Sequence, residues 1–401
     1  MSKPLSSFAE IHYGKSPARV VAEEGDVPIY GTGGVYGKAT KSLFPGPAVI
    51  IPRKGSLASP HFAAGPFWAS DTTYAAIPKP GVDAEWLYYQ LCQFNLERLN
   101  EATGVPSISR DWLAKSGLFP HDADGQTAVA RVLRTIDSQI QTTELLIAKQ
   151  ERVRAGLMQD LFTRGVDDHG RLRPPREEAP HLYHQTELGW LPKGWDVGPL
   201  SKWVSRVTYG FTNPMPEALE GPYMVTAADV SDGEICLETC RRTTDRAYAD
   251  LLTNKSKPKV GDILLTKDGT LGRVALVDCD NICVNQSVAV ITPFDIANSK
   301  FFFSIFRTSQ YQARLIADAG GSTIKHIYIT NVEKMLFTKP EKDEERDLIV
   351  AICGAVEKGL LEERKRLAKA KLLKSGLMQD LLAGRVYVGS LLRDAPEGVA
   401  G

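Results

Sequence analysis

The segment Gly156-Leu157-Met158-Gln159-Asp160-Leu161 recurs later in the chain as Gly376-Leu377-Met378-Gln379-Asp380-Leu381. Around the two copies, further identical pairs stand at the same offset: Ala148 and Ala368, Lys149 and Lys369, and Val166 and Val386. An internal repeat with so long a period indicates two copies of a domain-sized module rather than a short solenoid unit. Two copies in one chain predict a pseudo-two-fold architecture, which suits a ligand with two spaced half-sites, such as duplex DNA.

Each copy lies at the end of a stretch whose apolar residues recur at helical spacing. The first stretch has a heptad seam, formed by Leu133, Ile136, Ile140, Thr143 and Ile147. The predicted apolar face of the second stretch consists of Ile349, Ile352, Val356, Leu360, Leu367, Leu373, Leu377 and Leu381. Gly165 and Gly384 follow in the position favoured for a C-terminal cap. We therefore predict two long helices, residues 123–164 and 341–384.

A long apolar seam must be covered by other residues. Both seams extend well beyond the length that one small domain can cover. We therefore expect the two helices to pair with each other as an antiparallel coiled coil that holds two domains apart. The alternative is that each helix packs only on its own domain.

Two mixed blocks alternate with these helices. Residues 1–122 and 188–340 carry short strand-like runs separated by Gly and Pro, such as Ala48-Val49-Ile50-Ile51. Residues 165–187 have the composition of a linker, and residues 385–401 are expected to be a loose tail. The predicted fold class is α+β, with two mixed α/β domains alternating with two long helices.

The two blocks also resemble each other, more weakly than the helices do. Ile11-His12-Tyr13-Gly14 parallels Val207-Thr208-Tyr209-Gly210, and Gly104-Val105-Pro106-Ser107-Ile108 parallels Gly321-Ser322-Thr323-Ile324. The helices thus kept their sequence while the blocks diverged. This is expected if the helices fit one shared partner and the two blocks read different targets.

Composition places the chain among ordinary soluble globular proteins. Of its 401 residues, 43% are hydrophobic and 24% are charged. We see no apolar run long enough to span a bilayer and no signal peptide at the start, so we expect a cytoplasmic protein with reduced cysteines. The 48 basic and 48 acidic residues give no net charge. A nucleic-acid binder with that balance must segregate its positive charge or share the phosphate contacts with a partner.

The catalytic motifs that would indicate an enzyme are absent or incomplete. Asn213-Pro214-Met215-Pro216 lacks the second Pro and the aromatic residue of an amino-methyltransferase motif, and the run Gly31-Thr32-Gly33-Gly34 does not join a strand to a helix as a phosphate loop does. Two C-x₃-C pairs could hold zinc or could be small core residues; they are Cys236 with Cys240 and Cys279 with Cys283.

Several runs together resemble the specificity subunit of type I restriction-modification systems. In the first block these are Val27-Pro28-Ile29-Tyr30-Gly31-Thr32-Gly33-Gly34, Ile51-Pro52-Arg53-Lys54-Gly55-Ser56 and Pro66-Phe67-Trp68-Ala69-Ser70-Asp71-Thr72. In the second block they are Leu188-Gly189-Trp190-Leu191-Pro192-Lys193-Gly194-Trp195 and Gly261-Asp262-Ile263-Leu264-Leu265-Thr266-Lys267-Asp268-Gly269-Thr270. The repeated helix ends are similar to the ends of that family's two long helices.

The resemblance implies a subunit that is not catalytic by itself and needs no cofactor of its own. It would read a bipartite target in double-stranded DNA, with one half-site for each target recognition domain. It would recruit two methyltransferase subunits, which carry S-adenosylmethionine, and a restriction subunit. The whole would be a type I site-specific deoxyribonuclease and adenine methyltransferase complex.

Polar and basic residues in the loops of both blocks are candidates for contacts to bases and phosphates. In the first block they are Arg53, Lys54, Ser107, Ser109 and Arg110, and in the second Lys267, Thr270, Arg273, Ser322, Thr323, Lys325, His326, Arg241 and Arg242. Each could instead be part of a solvated surface turn. The duplicated residues outside the helix seam are candidates for partner contact: Met158, Gln159, Asp160, Met378, Gln379 and Asp380.

Two other functions are compatible with the same features. A coiled-coil adaptor with two protein-binding ends would show protein partners and no DNA footprint. A stand-alone nuclease or methyltransferase would need a catalytic group of residues that the sequence does not display.

Overall fold

The computed structural model describes residues 2–57, 59–231, 233–320 and 325–386. Ser322 and Thr323, which were predicted to contact DNA, lie outside these ranges, as do residues 387–401 of the predicted tail. Within them, no helix combines the length and the apolar character that a bilayer crossing requires. The mixed α/β class predicted from the sequence is confirmed.

The chain forms two compact units, and each unit contains parts of both long helices. The first unit comprises the described residues of Met1–Leu146 and Glu363–Gly401, and the second comprises those of Ile147–Glu362. The first long helix therefore begins in the first unit and ends in the second. The second long helix runs from the second unit back into the first.

In the first unit, two larger sheets and one two-stranded sheet precede the first long helix. Its elements are β1 Lys3–Pro4, β2 Ala9–Tyr13, β3 Val27–Gly31, β4 Gly34–Ala39, β5 Ala48–Pro52, β6 His61–Ala63, β7 Trp68–Ala69, β8 Thr73–Pro78, α1 Ala84–Cys92, α2 Arg110–Lys115, β9 Gly117–Leu118 and α3 Ala123–Thr163. One larger sheet has the order β2-β8-β5-β6 and the other β4-β3-β7, while β1 pairs only with β9. All five residues of β5 are buried, because side chains cover both faces of this central strand.

The second unit repeats this topology. Its elements are β10 Tyr183–Thr186, β11 Gly189–Pro192, β12 Trp195–Pro199, β13 Val204–Tyr209, β14 Ala218–Val225, β15 Val230–Ser231, β16 Glu234–Ile235, β17 Arg241–Arg242, α4 Asp245–Leu251, β18 Ile263–Thr266, β19 Val274–Leu276, β20 Ile282–Val284, β21 Val288–Pro293, α5 Ser299–Phe306, α6 Ser309–Ala317, α7 Ile329–Lys334, β22 Leu336–Pro340 and α8 Asp343–Leu382. The sheet orders β13-β21-β18-β19 and β17-β14-β20 match those of the first unit, including one parallel pair in each three-stranded sheet. The fully buried β18 thus corresponds to β5.

In the first unit, the start of α3 and the end of α8 lie side by side. Lys374 Nζ is 2.6 Å from Asp137 Oδ1, and Lys371 Nζ is 2.7 Å from Glu144 Oε1. The residue numbers rise along one helix as they fall along the other, so the two segments are antiparallel. Leu133 of α3 and Leu381 of α8 belong to the same buried core as the sheet residues Val49 and Ile51.

In the second unit, the end of α3 and the start of α8 make the equivalent contacts. Arg154 Nε lies 2.6 Å from Glu357 Oε1, and the sulfur atoms of Met158 and Cys353 are 3.4 Å apart. Gly165 ends α3 with a φ of 62°, a left-handed conformation that a glycine adopts without strain. Beyond it, the N–H of Val166 donates to the buried carboxylate of Glu345 on α8.

The apolar face predicted for α8 is wrong at Leu373, whose side chain is 53% exposed. Ala370 and Lys374 occupy that level of the covered face instead, because the spacing of three and four continues from Leu367 through them to Leu377. On α3, all five seam residues that the sequence predicted are buried or half-buried.

Candidate nucleic-acid interface

The first candidate site forms where two predicted loops of the first unit meet. Strand β5 ends at Pro52, and Arg53 and Lys54 follow it. The N–H of Ile108 donates to the carbonyl of Arg53 at 3.0 Å, and Lys54 forms a β-bridge with Ser107. The turn and the polar loop that the sequence singled out separately therefore make one surface.

Two tyrosines hold the guanidinium of Arg53. Its Cζ lies 5.0 Å from the ring centre of Tyr13 and 5.7 Å from that of Tyr74, within the range of cation–π attraction. Arg53 Nη1 donates to the carbonyl of Asp71 at 2.9 Å. The Tyr74 hydroxyl donates to the carbonyl of Ile108, and burial raises the pKa of Tyr74. Tyr74 is thus an uncharged ring, held by its own hydrogen bond, that packs beside the arginine.

A cavity of about 320 Å³ opens beside this arginine. It is lined by Tyr13, Arg53, Lys54, Tyr74, Glu101, Ser107, Ile108, Ser109, Arg110 and Asp111. Every candidate of the first block is among these residues. The lining contains three cations and two carboxylates, so the positive charge is local although the chain is neutral. Ser109 is also the N-cap of α2, where its hydroxyl accepts from the N–H of Trp112 at 3.2 Å.

The second candidate site lies at the corresponding end of β18 in the second unit. Lys267 directly follows this strand, and its Nζ lies 5.5 Å from the ring centre of Tyr209. The N–H of Ile327 donates to the carbonyl of Lys267 at 2.9 Å, which repeats the bond between Ile108 and Arg53. Lys267 and Tyr209 thus correspond to Arg53 and Tyr13.

In the second site a carboxylate pairs directly with the cation that follows the central strand, which is not so for Arg53 in the first site. Asp268 Oδ2 accepts from Lys267 Nζ at 2.6 Å, while its other oxygen pairs with Nδ1 of His326. Partial burial acts to raise the pKa of Asp268, but the bonds from His326 and Lys267 outweigh it and hold the pKa below the usual value. Asp268 is therefore ionised and positions both candidate contact residues.

The remaining candidates of the second block are divided between this site and other surfaces. Thr270 and Arg273 are exposed in the turn after Lys267, and Lys325 is exposed beside His326. A second cavity, of about 630 Å³, continues from Tyr209 along Gly210, Phe211 and Asn213 and is lined by Arg206 and Lys255 as well. Sequence reasoning did not include these last two cations.

Arg241 and Arg242 make their contacts with residues outside the second candidate site described above. Arg241 pairs with Glu217, and the Cζ of Arg242 lies 3.8 Å from the ring centre of Tyr223. Both arginines form β17, at the edge of the three-stranded sheet. Their guanidinium groups are thus engaged in contacts within the fold.

The repeated helix segments have both buried and exposed residues. Met158 was predicted to point away from the packing face, but it is only 5% exposed and lies in the core of the second unit. Met378 is half-buried against the core of the first unit. Both methionines directly follow a leucine of the covered face, so the cores are wide enough to enclose them as well. The two glutamines, Gln159 and Gln379, are exposed.

The acidic residues of the two segments form equivalent contacts. Asp160 pairs with Arg164 at 3.3 Å, and Asp380 pairs with Arg385 at 3.5 Å. Each pair lies at the C-terminal end of its helix. The repeat therefore encodes a helix ending as well as an exposed glutamine.

Three of the four cysteines in the C-x₃-C pairs pack as core residues. Cys283 is fully buried, and Cys240 and Cys279 pack against an apolar cluster of the second unit. Burial, more than the neighbouring Asp229, raises the pKa of Cys240 to about 12, so its thiol is protonated. Among the described residues, no group of three or more His, Cys, Asp and Glu side chains is placed to hold a metal ion.

Sequence reasoning missed the aromatic and acidic members of the two sites. Tyr13 and Tyr209 could have been found, because both end a parallel run and precede a glycine. Asp268 stands next to Lys267 in the sequence, but only the fold brings His326 to it. The sequence parallel paired Ile108 with Ile324, which lies outside the described residues; the equivalent backbone bond is made by Ile327.

Similarity to known proteins agrees with this geometry. The family model described as "Type I restriction modification DNA specificity domain" matches residues 1–151 and 222–371, well over half of the chain. The specificity subunit of the type I restriction enzyme MjaIX from Methanocaldococcus jannaschii is 21% identical over 97% of this chain and 94% of its own length. That of EcoBI from Escherichia coli is 22% identical over 56% of this chain; the match spans only 48% of the E. coli subunit.

Solved structures show the same fold. The S subunit of a type I restriction-modification system from M. genitalium has a TM-score of 0.62 at 14% identity, covering 95% of this chain and 96% of its own. A chain from a structure that concerns the structural basis of complex assembly and conformational transition of the type I R-M system has a TM-score of 0.54, also at 14% identity, covering 96% of this chain and 98% of its own. The family match, over well more than half of the chain, shows that this chain belongs to the type I restriction-modification DNA specificity family and is a DNA-binding specificity subunit.

Proposed function

We propose that the chain reads a bipartite target in double-stranded DNA, with one half-site bound by each unit. The observation that supports this most strongly is the equivalence of the two sites. In each unit a buried central strand delivers a cation to a surface where it contacts a tyrosine, and the same backbone hydrogen bond closes that surface. Two related but differently charged sites suit two half-sites of different sequence.

The proposed domain boundaries are those expected from the sequence. Residues 1–122 and 188–340 are the target recognition domains, residues 123–164 and 341–384 the spacer helices, and 165–187 a linker. The helices pair as an antiparallel coiled coil whose length sets the number of base pairs between the half-sites. The ion pairs Asp137–Lys374 and Arg154–Glu357, each within its own unit, support this pairing.

The chain recruits two methyltransferase subunits carrying S-adenosylmethionine and a restriction subunit, which together supply the chemistry. Gln159 and Gln379 are the residues proposed to contact the two methyltransferase subunits, because they are exposed at equivalent places in the repeat. The zero net charge supports a shared grip on DNA, since a lone subunit with no excess of cations releases few counterions on binding.

The experiment is a selection of bound duplexes from a random pool, made with this chain alone and with the cognate methyltransferase subunits. The proposal expects weak binding by the chain alone and a defined split sequence from the assembled complex. An assembled complex that binds every sequence equally would refute it. Binding to protein partners with no DNA footprint would favour the adaptor function instead.

A further inference from the structure

We infer that Arg53 recognises a guanine in the half-site bound by the first unit, through paired hydrogen bonds from its guanidinium to O6 and N7 of the base. This inference rests on the proposed function and adds the residue and the base. It follows from how Arg53 is held, from the charges around it and from the contrast with Lys267.

Arg53 is fixed along its whole length. Its backbone N–H donates to the carbonyl of Thr72 at 2.9 Å, and its own carbonyl accepts from Ile108 at 3.0 Å. Its guanidinium contacts the rings of Tyr13 and Tyr74, and Nη1 is bound by the carbonyl of Asp71. A guanidinium has five N–H groups, and this anchor engages only one side of it. The others lie in the same guanidinium plane, and Arg53 lines the cavity.

A fixed, planar donor pair is what sequence readout requires. Guanine presents two acceptors side by side in the major groove, and a bidentate arginine is the commonest specific contact to it. Within the described part of the chain, no carboxylate pairs with Arg53, so its free N–H groups are available to a ligand. Ordering in advance also lowers the entropy cost of binding.

The charges of the cavity favour a base over a phosphate. Glu101 and Asp111 line the same cavity as Arg53 and offset two of its three cations, which weakens its attraction for a phosphate placed inside it. A base edge carries no net charge, so its binding depends less on an excess of cations. Lys54 and Arg110 are exposed, with the Cζ of Arg110 6.0 Å from the ring centre of Tyr13, and exposed cations beside a base-reading residue suit phosphates.

The second unit cannot make the same contact. Lys267 stands at the corresponding position, but its ammonium lacks the two parallel N–H donors of a guanidinium. It is also paired with Asp268 at 2.6 Å. The guanine contact is therefore specific to one half-site. The second half-site serves as an internal control in any measurement.

The test uses the complex of this chain with its methyltransferase subunits and a library randomised in both half-sites. Arg53→Lys keeps the positive charge and removes the two parallel N–H donors of the guanidinium. We expect it to lower the preference for guanine at one position by roughly ten- to a hundredfold and to leave the other half-site unchanged. Lys54→Gln is the matched control, expected to weaken binding equally for all sequences. Uniform weakening by Arg53→Lys with an unchanged motif would overturn the inference.

A second measurement leaves the protein intact. Replacing that guanine by 7-deazaguanine removes the N7 acceptor, so wild-type binding should weaken and the Arg53→Lys complex should lose nothing more. Equal losses in both complexes would contradict the contact. If the wild-type complex has no sequence preference, the proposed function itself fails; if it has one that Arg53 does not affect, only this inference fails.

Discussion

The backbone N–H of Ile327 donates to the carbonyl of Lys267 at 2.9 Å, and the pair Ile108 and Arg53 forms the same bond in the other unit. In both units the bond joins the turn after the central buried strand to the loop that precedes a short helix. It places a cation and a polar loop on one surface. Because the bond uses only backbone atoms, the side chains of each surface are free to differ.

Glu345 should be required for the stability of the second unit. Its carboxylate is buried and accepts from Arg173 Nη2 at 2.8 Å, Trp195 Nε1 at 3.0 Å and the N–H of Val166 at 3.1 Å. Glu345→Ala should lower the free energy of unfolding by about 3–5 kcal/mol, because it leaves the Arg173 guanidinium half-buried without its partner.

Denaturant unfolding of the assembled complex or of the full chain measures this change. Glu177→Ala is the matched control, since Glu177 is exposed and its contact with Arg176, at 3.7 Å, is on the surface. Equal losses for the two variants would show that Glu345 is not a structural anchor.

Substitutions of the buried leucines and of the exposed glutamines in the repeated segments should have different effects, the former on folding stability and the latter on binding of the methyltransferase subunits. Leu161 and Leu381 are almost fully buried, so Leu161→Ala and Leu381→Ala should each lose about 2–5 kcal/mol of unfolding free energy. Gln159→Arg and Gln379→Arg change exposed side chains and should alter it by less than about 0.5 kcal/mol.

The glutamine variants should instead weaken binding of the methyltransferase subunits, measured by calorimetry or sedimentation. Substituting both glutamines should weaken it more than substituting either. Unchanged assembly in the double variant would rule out these residues as the shared contact.

His121 should make the first unit less stable in mild acid. Trp86 Nε1 donates to His121 Nδ1 at 3.0 Å, so the other nitrogen carries the proton and donates to the carbonyl of Leu381 at the end of α8. Burial lowers the pKa of His121 below 6.5, although bonds to Leu381 and Phe119 and the charge of Asp122 oppose this. A second proton on the ring would be added to Nδ1, where it would point at the Trp86 N–H and break this hydrogen bond.

The unfolded chain therefore binds more protons than the folded one below pH 6.5, and stability should fall as the pH drops from 6.5 through the folded-state pKa. Urea unfolding between about pH 7.5 and 5 should show this fall, and it should be smaller for His121→Asn. The same slope in both proteins would mean that other groups cause it.

Lengthening both long helices by one heptad should widen the gap in the target. Seven residues add about 10 Å of helix, or about three base pairs, and keep the phase of the covered face. Insertions after Gln141 and after Lys369 lie close to the ion pair of Glu144 with Lys371. The half-site sequences should not change, whereas an altered half-site in the selected motif would contradict the spacer role.

Much of this architecture could be predicted from the sequence, because its signals are local. The heptad spacing from Leu133 to Ile147 predicted α3, and the turn after Ala48-Val49-Ile50-Ile51 predicted the position of Arg53. The contacts that complete each site depend on residues distant in the sequence. Tyr13 reaches Arg53 through strand pairing, and His326 reaches Asp268 across 58 positions. Leu373 was wrongly assigned to the covered face of α8 because it is apolar. The covered positions follow the alternating spacing of three and four residues, which Leu373 does not fit.

The most direct test of a split target read by two units is to map the adenines that the assembled complex methylates. The account predicts two short defined sequences separated by a fixed number of unspecified base pairs. Substituting Lys267 by Gln should change one of them and leave the other intact. A single uninterrupted motif, or a change in both halves from that one substitution, would contradict the account.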